Sequence, residues 1–459
     1  MSLVRSVVIH AHFYQPPREN PWTGVVEPEP TAAPDHDWNV RITRECYGPL
    51  ASIRVGRDEV DPPRLNAYNF LSYDAGPTLL EWMEREAPGT YEAILKGDAQ
   101  SHQRLGHGNA VAMPYHHVIL PLCSRRDKET EVRWGIADFR RRFGREPAGL
   151  WLPETAVDEE CLDVLAAEGI AFTILAPHQV RRAPTDGRPG RIRTSSGRTI
   201  AVFAYDGPLS HDVAFGPLVG DAALWKKEIL AEKGRRVISI ASDGETYGHH
   251  HRFADLALGA LLYDLGNRRG VRVENFASVL AANPPAMDLE LLAPTSWSCV
   301  HGVERWRSNC GCRFALDGST QQEWRAPLRA AVDWLVGQVH ERYERVGASL
   351  PGGPWAFRDA ALAAGPVAGV DESLARAVEM ERSALCAMTS CGWFFDDFAG
   401  LEGRQVLRYA ARAIALAGEE APRLEAGLLE RLAPAVSNDP KVGTAVEFYR
   451  RTIKPEVPA

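Results

Sequence analysis

The first part of the chain alternates short apolar runs with stretches of helical spacing. Residues 6–12 alternate as in a half-buried strand and lead into a loop. A stripe at helical spacing between Lys128 and Phe143 predicts a helix that ends at Gly144, and the apolar run 148–152 predicts a buried strand directly after it. This order of strand, helix and strand indicates an α/β protein.

The same order recurs further along the chain. A predicted helix over 158–168 leads to a strand over 171–175, and a helix over 226–233 leads to a β-branched strand over 236–242. Strands joined by helices run parallel. The segment 184–205 is rich in Arg, Gly, Thr and Ser, and we predict that it forms an antiparallel excursion beyond the main sheet.

After about residue 300 the strand signals give way to helical spacing. Leu, Ala, Val and Trp recur at helical intervals over 321–348, 371–389, 402–418 and 424–434. The pattern predicts a mostly α-helical C-terminal subdomain.

Composition narrows the class of protein. The 459 residues carry a net charge of −8, with 45% hydrophobic and 24% charged residues, which is ordinary for a globular protein. The negative excess argues against a nucleic-acid partner, which usually needs a basic face. No run reaches the roughly 18 apolar residues of a membrane-spanning helix, and the first residues lead into a strand instead of the apolar core of a signal peptide. We therefore expect a cytoplasmic protein with no membrane partner.

Eight cysteines in a chain of this length are too sparse for a disulfide scaffold. The group Cys299, Cys310 and Cys312 stands out, because two ligands separated by one residue can chelate a metal. The interpretation that we favour is packed thiols beneath a loop, with a metal site as the alternative.

Polar and aromatic side chains follow three of the predicted strands. His10 and His12 close the first strand, Glu154 follows the strand near 150, and Asp243 and Glu245 follow the strand near 240. The carboxyl ends of parallel strands converge on one face of a barrel, where such folds place their active sites. Three separated stretches therefore predict one site.

His10 and His12 project to the same side of a strand because they are two residues apart. They could bind a divalent metal, with Asp243 and one of the histidines 249–251 completing the ligand set. Alternatively, neutral imidazoles would hydrogen-bond a polyhydroxylated substrate, or the pair would be structural.

Glu154 and Asp243 form the minimal apparatus for glycoside chemistry, in which one carboxylate attacks the anomeric carbon and the other protonates the leaving oxygen. The alternative for Glu154 is an acid that complements the dipole of the following helix, and Asp243 could serve only a turn that Gly244 makes possible. Aromatic side chains suit sugars, and the chain offers a dense set: Phe13, Tyr14, Trp22, Trp38, Tyr47, Tyr247 and Trp297. Glycine-rich phosphate loops, a Gly-x-Ser-x-Gly elbow and a His-Glu-x-x-His motif are missing from the sequence, so we expect no cofactor.

Four short motifs, in order, resemble those of glycoside hydrolase family 57, whose members act on α-glucans. They are His10-Ala-His-Phe-Tyr-Gln-Pro-Pro17, Gly106-His-Gly-Asn109, Trp151-Leu-Pro-Glu154 and Ser242-Asp-Gly-Glu-Thr-Tyr-Gly248. The segment from Thr389 to Asp397 resembles a subgroup with a helical domain of unassigned role. The second motif departs from the family, which often has an acid where this chain has Gly108.

The resemblance implies a distorted (β/α)7 barrel over residues 1–300, followed by a helical domain over 301–459 that contributes to the cleft. It implies Glu154 as the covalent nucleophile and Asp243 as the general acid/base of a retaining enzyme without a metal. The substrate would be an α-glucan or maltooligosaccharide, and substrate-binding residues would be His10, His12, Gln15, His107, Trp151, Glu245, Tyr247, Trp297 and Trp393.

Three questions stay open at the level of the sequence. Water or a sugar hydroxyl could accept the glycosyl group, so an amylase, a 4-α-glucanotransferase and a branching enzyme are all compatible with the motifs. A metal-dependent hydrolase that uses His10, His12 and Asp243, or a glucan-binding barrel without catalysis, are the alternatives to this family. The oligomeric state has no signal in the sequence.

Overall fold

The computed structural model describes residues 5–56, 62–285, 287–315, 317–361 and 372–458. The chain forms two compact units. The barrel unit comprises Met1–Gln15, Pro28–Met113 and Phe139–Ala293, and the helical unit comprises Pro16–Glu27, Pro114–Asp138 and Pro294–Ala459. Each unit therefore draws on three separate segments, whereas the sequence suggested a division near residue 300.

The bounds of the elements are as follows. The strands are β1 Arg5–Phe13, β2 Ile53–Arg54, β3 Arg64–Leu65, β4 Ser72–Ala75, β5 Ala110–Val111, β6 Phe172–Leu175, β7 Val180–Arg181, β8 Gly190–Arg193, β9 Thr199–Ala204, β10 Val237–Asp243, β11 Val271–Val273 and β12 Glu290–Leu291. The helices are α1 Trp38–Ile42, α2 Gly48–Leu50, α3 Pro77–Glu86, α4 Pro88–Leu105, α5 Arg125–Phe143, α6 Glu159–Ala167, α7 Gly207–Ala214, α8 Ala222–Ala231, α9 Ala254–Gly266, α10 Phe276–Ala282, α11 Arg325–Val346, α12 Pro354–Ala361, α13 Glu372–Cys386, α14 Cys391–Phe394, α15 Leu401–Leu416, α16 Ala421–Leu432 and α17 Ala445–Phe448.

Parallel segments of the barrel unit follow one another around a ring. β10 pairs with β1, β1 with β4, and β4 with β5. Residues 149–150 then bridge β5 to β6, and β6 pairs with β9. The ring closes where the backbone N–H of Asp206 donates to the carbonyl of Ser239, at 2.7 Å, just beyond β9. These seven segments form the expected distorted (β/α)7 barrel.

The local sequence explains why these elements form where they do. The apolar residues of β1 and β10 are buried, as expected for strands that are covered on both faces. Gly144 adopts the left-handed conformation that ends α5, at φ 65°. Asp158 begins α6 by accepting a hydrogen bond from the backbone N–H of Cys161.

Two predictions for the barrel were wrong in detail. β9 belongs to the barrel through its parallel pairing with β6, and only β8 on its other edge is the antiparallel excursion. The apolar run 148–152 forms isolated bridges instead of a full strand, since the chain turns away at Pro153, which has no backbone N–H to donate.

The helical unit is built mainly from four of the predicted helices. α11 packs against α13 and α16, and α13 packs against α15. The predicted ranges are confirmed to within a few residues, except that residue 371, the first of one prediction, lies outside the described residues. In the part of the chain that the structure describes, no helix combines the length and the apolar character needed to cross a bilayer.

Candidate active site

A buried network of two histidines and one aspartate closes the carboxyl end of β1. Asp74 lies opposite His12 in the register of β1 and β4. One oxygen of the Asp74 carboxylate lies 2.7 Å from Nδ1 of His12, and the other lies 3.1 Å from Nε2 of His10. Nδ1 of His10 lies 3.1 Å from the hydroxyl of Ser72. A carboxylate only accepts hydrogen bonds, so both imidazoles donate to Asp74, and His10 then accepts from Ser72.

The two histidines differ in charge. Burial lowers the pKa of His10, and its hydrogen bond to Asp74 does not offset this. Burial also acts against the charge of His12, but the nearby Asp74 outweighs it and raises the pKa of His12 to about 9. Burial would raise the pKa of Asp74, yet the two histidines hold it below its usual value. At neutral pH the network is therefore a neutral His10, an anionic Asp74 and a cationic His12.

Aromatic rings fix the orientation of both imidazoles. The ring of Trp151 stacks against His10 at 4.6 Å and against His12 at 5.4 Å between centroids, and Tyr14 stacks on His12 at 6.2 Å. The Trp151 side chain is fully buried. Its observed contact is thus with the histidines that we expected to bind substrate.

Asp243 ends β10 directly beside the charged histidine. Its register partner on β1 is His12. The Asp243 side chain is exposed to water, while the protein atoms around it are dense enough to weaken its solvation. Burial and the negative charge of Asp74 raise the pKa of Asp243, and they outweigh the opposing effect of His12. The negative charge of Asp243 in turn adds to the effect of burial in raising the pKa of Tyr205, so this hydroxyl stays neutral next to it.

Glu245 forms a second acidic position next to Asp243. Its carboxylate accepts a hydrogen bond from the Tyr47 hydroxyl, and it lies 3.4 Å from the backbone nitrogen of Tyr14. Burial and the charge of Asp243 raise the pKa of Glu245 to about 7. Gln15 donates to the same Tyr47 hydroxyl at 3.3 Å, so it reaches the site through Tyr47.

The turn after β10 is shaped by close packing. A side-chain carbon at Gly244 would lie 2.1 Å from the ring of Phe13, although the backbone angle φ at Gly244 is not positive. Glycine is therefore needed for close approach, and not for the turn conformation that the sequence suggested. Tyr247 is fully buried, accepts a hydrogen bond from the Ser242 hydroxyl at 3.0 Å and stacks on Trp225.

Glu154 lies on a strained turn at the same end of the barrel, after the bridged residues 149–150. Glu154 and Thr155 adopt positive φ angles of 56° and 47°, which non-glycine residues rarely do. The buried side chain of Gln179 donates to the carbonyl of Thr155 at 2.8 Å and accepts from the backbone N–H of Ala176 at 2.8 Å. Such strain persists only where the surroundings enforce it, and it is common at functional sites. The Glu154 side chain is half-buried.

His107, Trp297 and Trp393 were also expected to bind substrate. His107 precedes β5, so it lies toward the amino end of the barrel strands, where its carbonyl accepts from Asn275 at 2.9 Å. Trp297 and Trp393 belong to the helical unit. Trp393 is fully buried there and donates to the carbonyl of Arg325 at 3.3 Å.

The alternative of a metal held by His10, His12 and Asp243 lacks support in this geometry. Both ring nitrogens of His10 are occupied by Asp74 and Ser72. His249 pairs with Glu45 at 2.6 Å, and Nε2 of His251 contacts the carbonyl of Ala214 at 2.9 Å. Among the described residues, the arrangement that fits a metal ion lies elsewhere, in the helical unit.

Sequence reasoning missed Asp74, Tyr205 and Gln179. Asp74 sits in a strand of four residues, which is too short to show a period. Tyr205 directly follows β9, and its position after a strand was the one signal that could have found it. Gln179 acts through a contact 24 residues away along the chain, which no local pattern reveals.

Comparison with known proteins identifies the family. Residues 40–273 match the model of glycosyl hydrolase family 57, which is half of the chain. The chain belongs to glycosyl hydrolase family 57. Residues 321–364 and 371–458 of this family 57 protein also match a domain of unknown function, DUF3536.

Relatives of this family 57 protein are distant. An α-amylase from Pyrococcus horikoshii is 26% identical over 37% of the chain and 26% of its own length, and a 4-α-glucanotransferase from Thermococcus litoralis is 22% identical over 38% and 26%. The matched part thus spans about a quarter of the length of these curated relatives.

Solved structures share the fold over nearly the whole chain. An exo-type maltose-forming amylase from Pyrococcus sp. ST04 superimposes with a TM-score of 0.73, 15% identity and coverage of 94% of this chain and 83% of its own. A family 57 branching enzyme from Thermococcus kodakaraensis gives a TM-score of 0.59, 16% identity and coverage of 99% and 96%.

Proposed function

We propose that this protein is a retaining enzyme that acts on α-glucans, with Glu154 as the nucleophile and Asp243 as the general acid/base. The observation that carries the proposal is the environment of Asp243. Burial and Asp74 raise its pKa, which favours the protonated form that a general acid needs. Its side chain is exposed to water, so a substrate oxygen can reach it.

In the first step, protonated Asp243 donates its proton to the departing glycosidic oxygen while the Glu154 carboxylate attacks the anomeric carbon. The bond from this carbon to the leaving oxygen breaks, and a glycosyl ester on Glu154 forms. The cationic His12 next to Asp243 stabilises the aspartate anion that remains.

In the second step, the Asp243 anion removes a proton from an acceptor hydroxyl, which attacks the anomeric carbon and releases Glu154. Two displacements at one carbon restore the original configuration, so the product is an α-anomer. Water as acceptor gives hydrolysis, and a sugar hydroxyl gives transfer. Tyr205 and Glu245 interact with Asp243, and Tyr47 donates to Glu245, so these groups are available to hydrogen-bond sugar hydroxyls.

Support for α-glucans as substrates comes from the relatives, which are named α-amylase, 4-α-glucanotransferase and maltose-forming amylase. The test is incubation with maltooligosaccharides of defined length, followed by chromatography of the products and NMR of the newly formed reducing ends. Shorter sugars alone indicate hydrolysis, and longer sugars in addition indicate transfer. A first product of β configuration would contradict retention. Binding without any product would support a non-catalytic barrel instead.

A further inference from the structure

Four metal-ligating side chains meet in the segment between β12 and α11, far in sequence from Glu154 and Asp243. They are Cys299, His301, Cys310 and Cys312, and one donor atom from each lies within 4.8 Å of all the others. The four residues form two pairs of the type ligand-x-ligand, separated by eight residues. The sequence drew attention to the cysteines, but His301 completes the set.

The separations between donor atoms match a tetrahedral zinc site. Zinc–sulfur bonds of about 2.3 Å and zinc–nitrogen bonds of about 2.0–2.1 Å place tetrahedral ligands about 3.8 Å apart for two sulfurs and about 3.6 Å apart for sulfur and nitrogen. Sγ of Cys299 lies 3.8 Å from Sγ of Cys312 and 4.0 Å from Sγ of Cys310. Sγ of Cys312 lies 3.6 Å from Nδ1 of His301.

Burial argues against the interpretation of these cysteines as packed thiols. Cys299 is buried, but Cys310 and Cys312 are half-buried and His301 is exposed. Thiols that serve only packing are among the most buried side chains in proteins. A cluster that is accessible on one side instead gives a metal ion a path of entry.

Hydrogen-bond donors and a buried cation lie next to the cluster, although burial raises the pKa of Cys299. The backbone N–H groups of His301 and Arg305 donate hydrogen bonds to the sulfur of Cys299. The buried guanidinium of Arg325 donates to the carbonyl of Cys312 at 2.7 Å, and its charge acts on Cys310 and Cys312. Zinc with three thiolates and a neutral imidazole carries a net charge of −1, which this guanidinium balances.

We propose that Cys299, His301, Cys310 and Cys312 bind one structural zinc ion. Four protein ligands fill a tetrahedral shell and leave no position for a substrate, so the site is structural and not catalytic. The zinc ion cross-links the two ends of an irregular loop. That loop includes the short helical turn Glu304–Trp306, whose Arg305 and Trp306 are buried.

The first test is elemental analysis of the full-length protein expressed with zinc in the medium, after extensive dialysis. We expect about one zinc ion per chain. An organic mercurial that modifies thiols should release this zinc, which a colorimetric chelator then detects. Replacement of zinc by Co²⁺ should give the sulfur-to-metal charge-transfer bands and the intense visible bands of a tetrahedral thiolate site.

Variants assign the site to these residues. We expect the double variant C310S/C312S to lose zinc and to melt at a lower temperature. Cys391→Ser alters a half-buried thiol that is not one of the four ligands, and it should keep both zinc and melting temperature. Wild-type protein without bound metal, or zinc retained in the double variant, would overturn the proposal. Alkylation of the protein before and after reduction gives a further check. Two fewer labelled thiols before reduction would show a disulfide and would also overturn the proposal. None of these measurements depends on enzymatic activity, so their outcome is independent of the proposed function.

Discussion

Oδ2 of Asp74 lies 2.7 Å from Nδ1 of His12, and this contact keeps a buried imidazole charged next to Asp243. Asp74 also adds a negative charge that raises the pKa of Asp243, while His12 lowers it. One carboxylate on β4 therefore acts on the acid at the end of β10 both directly and through a histidine.

The first prediction concerns this contact. Asp74→Asn should lower the pKa of His12 from about 9, because burial is then opposed only by the weaker effects of Asp243 and Glu245. NMR titration of protein with labelled histidines measures the change. Asp212→Asn is the matched control, since it removes the partner of His211 in an exposed pair whose nearest atoms are 3.6 Å apart. A pKa of His12 that stays near 9 in Asp74→Asn would refute the role given to Asp74.

The second prediction separates the two proposed catalytic acids. Asp243→Ala should lower kcat about 10²–10⁴-fold on substrates whose leaving group must be protonated. The fall in kcat should be smaller with a glycosyl fluoride, because fluoride leaves without needing this proton. Glu154→Ala should abolish turnover. Added azide should then restore activity in both, giving an α-glycosyl azide with Asp243→Ala and a β-glycosyl azide with Glu154→Ala, because azide replaces the nucleophile only in the latter.

The exposed Glu146→Gln serves as the control for both variants, and its activity should equal that of the unaltered protein. If the two azide products had the opposite configurations, the roles of Glu154 and Asp243 would have to be exchanged.

The third prediction concerns the turn that carries Asp243. Gly244→Ala places a carbon 2.1 Å from the ring of Phe13, so β1 or the turn must shift. We expect a loss of about 1–3 kcal/mol in the free energy of unfolding together with a fall in kcat. Gly266→Ala is the matched control, because nothing lies within 4 Å of the added carbon, and it should leave stability unchanged or slightly raised. Equal stability of the two variants in chemical denaturation would contradict the packing argument.

The fourth prediction concerns the turn that carries Glu154. Gln179→Leu removes the hydrogen bond that holds the carbonyl of Thr155 and leaves that carbonyl buried without this donor. The strained turn should relax and displace Glu154, so kcat should fall more than KM changes. Gln179→Glu keeps the shape of the side chain but removes its N–H donor, so this variant should behave like Gln179→Leu. A variant that alters only thermal stability would show that Gln179 is structural and does not position Glu154.

The fifth prediction concerns the pH dependence of stability in the helical unit. His340 lies between Asp127 and Glu381, and these carboxylates outweigh its burial and raise its pKa to about 9. A raised histidine pKa contributes stability that is complete below about pH 6.5 and is lost as the pH rises through about 9. His340→Gln should remove this part of the pH dependence, worth roughly 1–3 kcal/mol. Melting curves between pH 6 and pH 10 measure it, and the exposed His102→Gln should keep the profile of the unaltered protein.

The architecture was accessible from the sequence wherever periodicity extends over a whole element. β1, β10, α5 and α6 were predicted to within a few residues, because their apolar positions repeat at the strand or helix period. β5 has two residues and no period, so the sequence could not show that His107 precedes a strand and lies at its amino end. The assignment of His107 to the site rested on its motif alone.

The site itself was only partly accessible, because its electrostatics depend on register. The end of β1 and the end of β10 were recognisable from polar residues that follow apolar runs. The pairing of His12 with Asp74 on one side and Asp243 on the other requires the alignment of three strands, which only the folded chain provides.

The closure of the barrel gives Asp243 different neighbours on its two sides. β10 joins β1 through a continuous ladder from Ser6 to His12, whereas it meets the end of β9 through the hydrogen bond from Asp206 to Ser239. The charge that tunes the proton donor therefore comes from the fully paired side of β10. A substitution that disturbs the β1 backbone should consequently reach Asp243 more directly than one in β9.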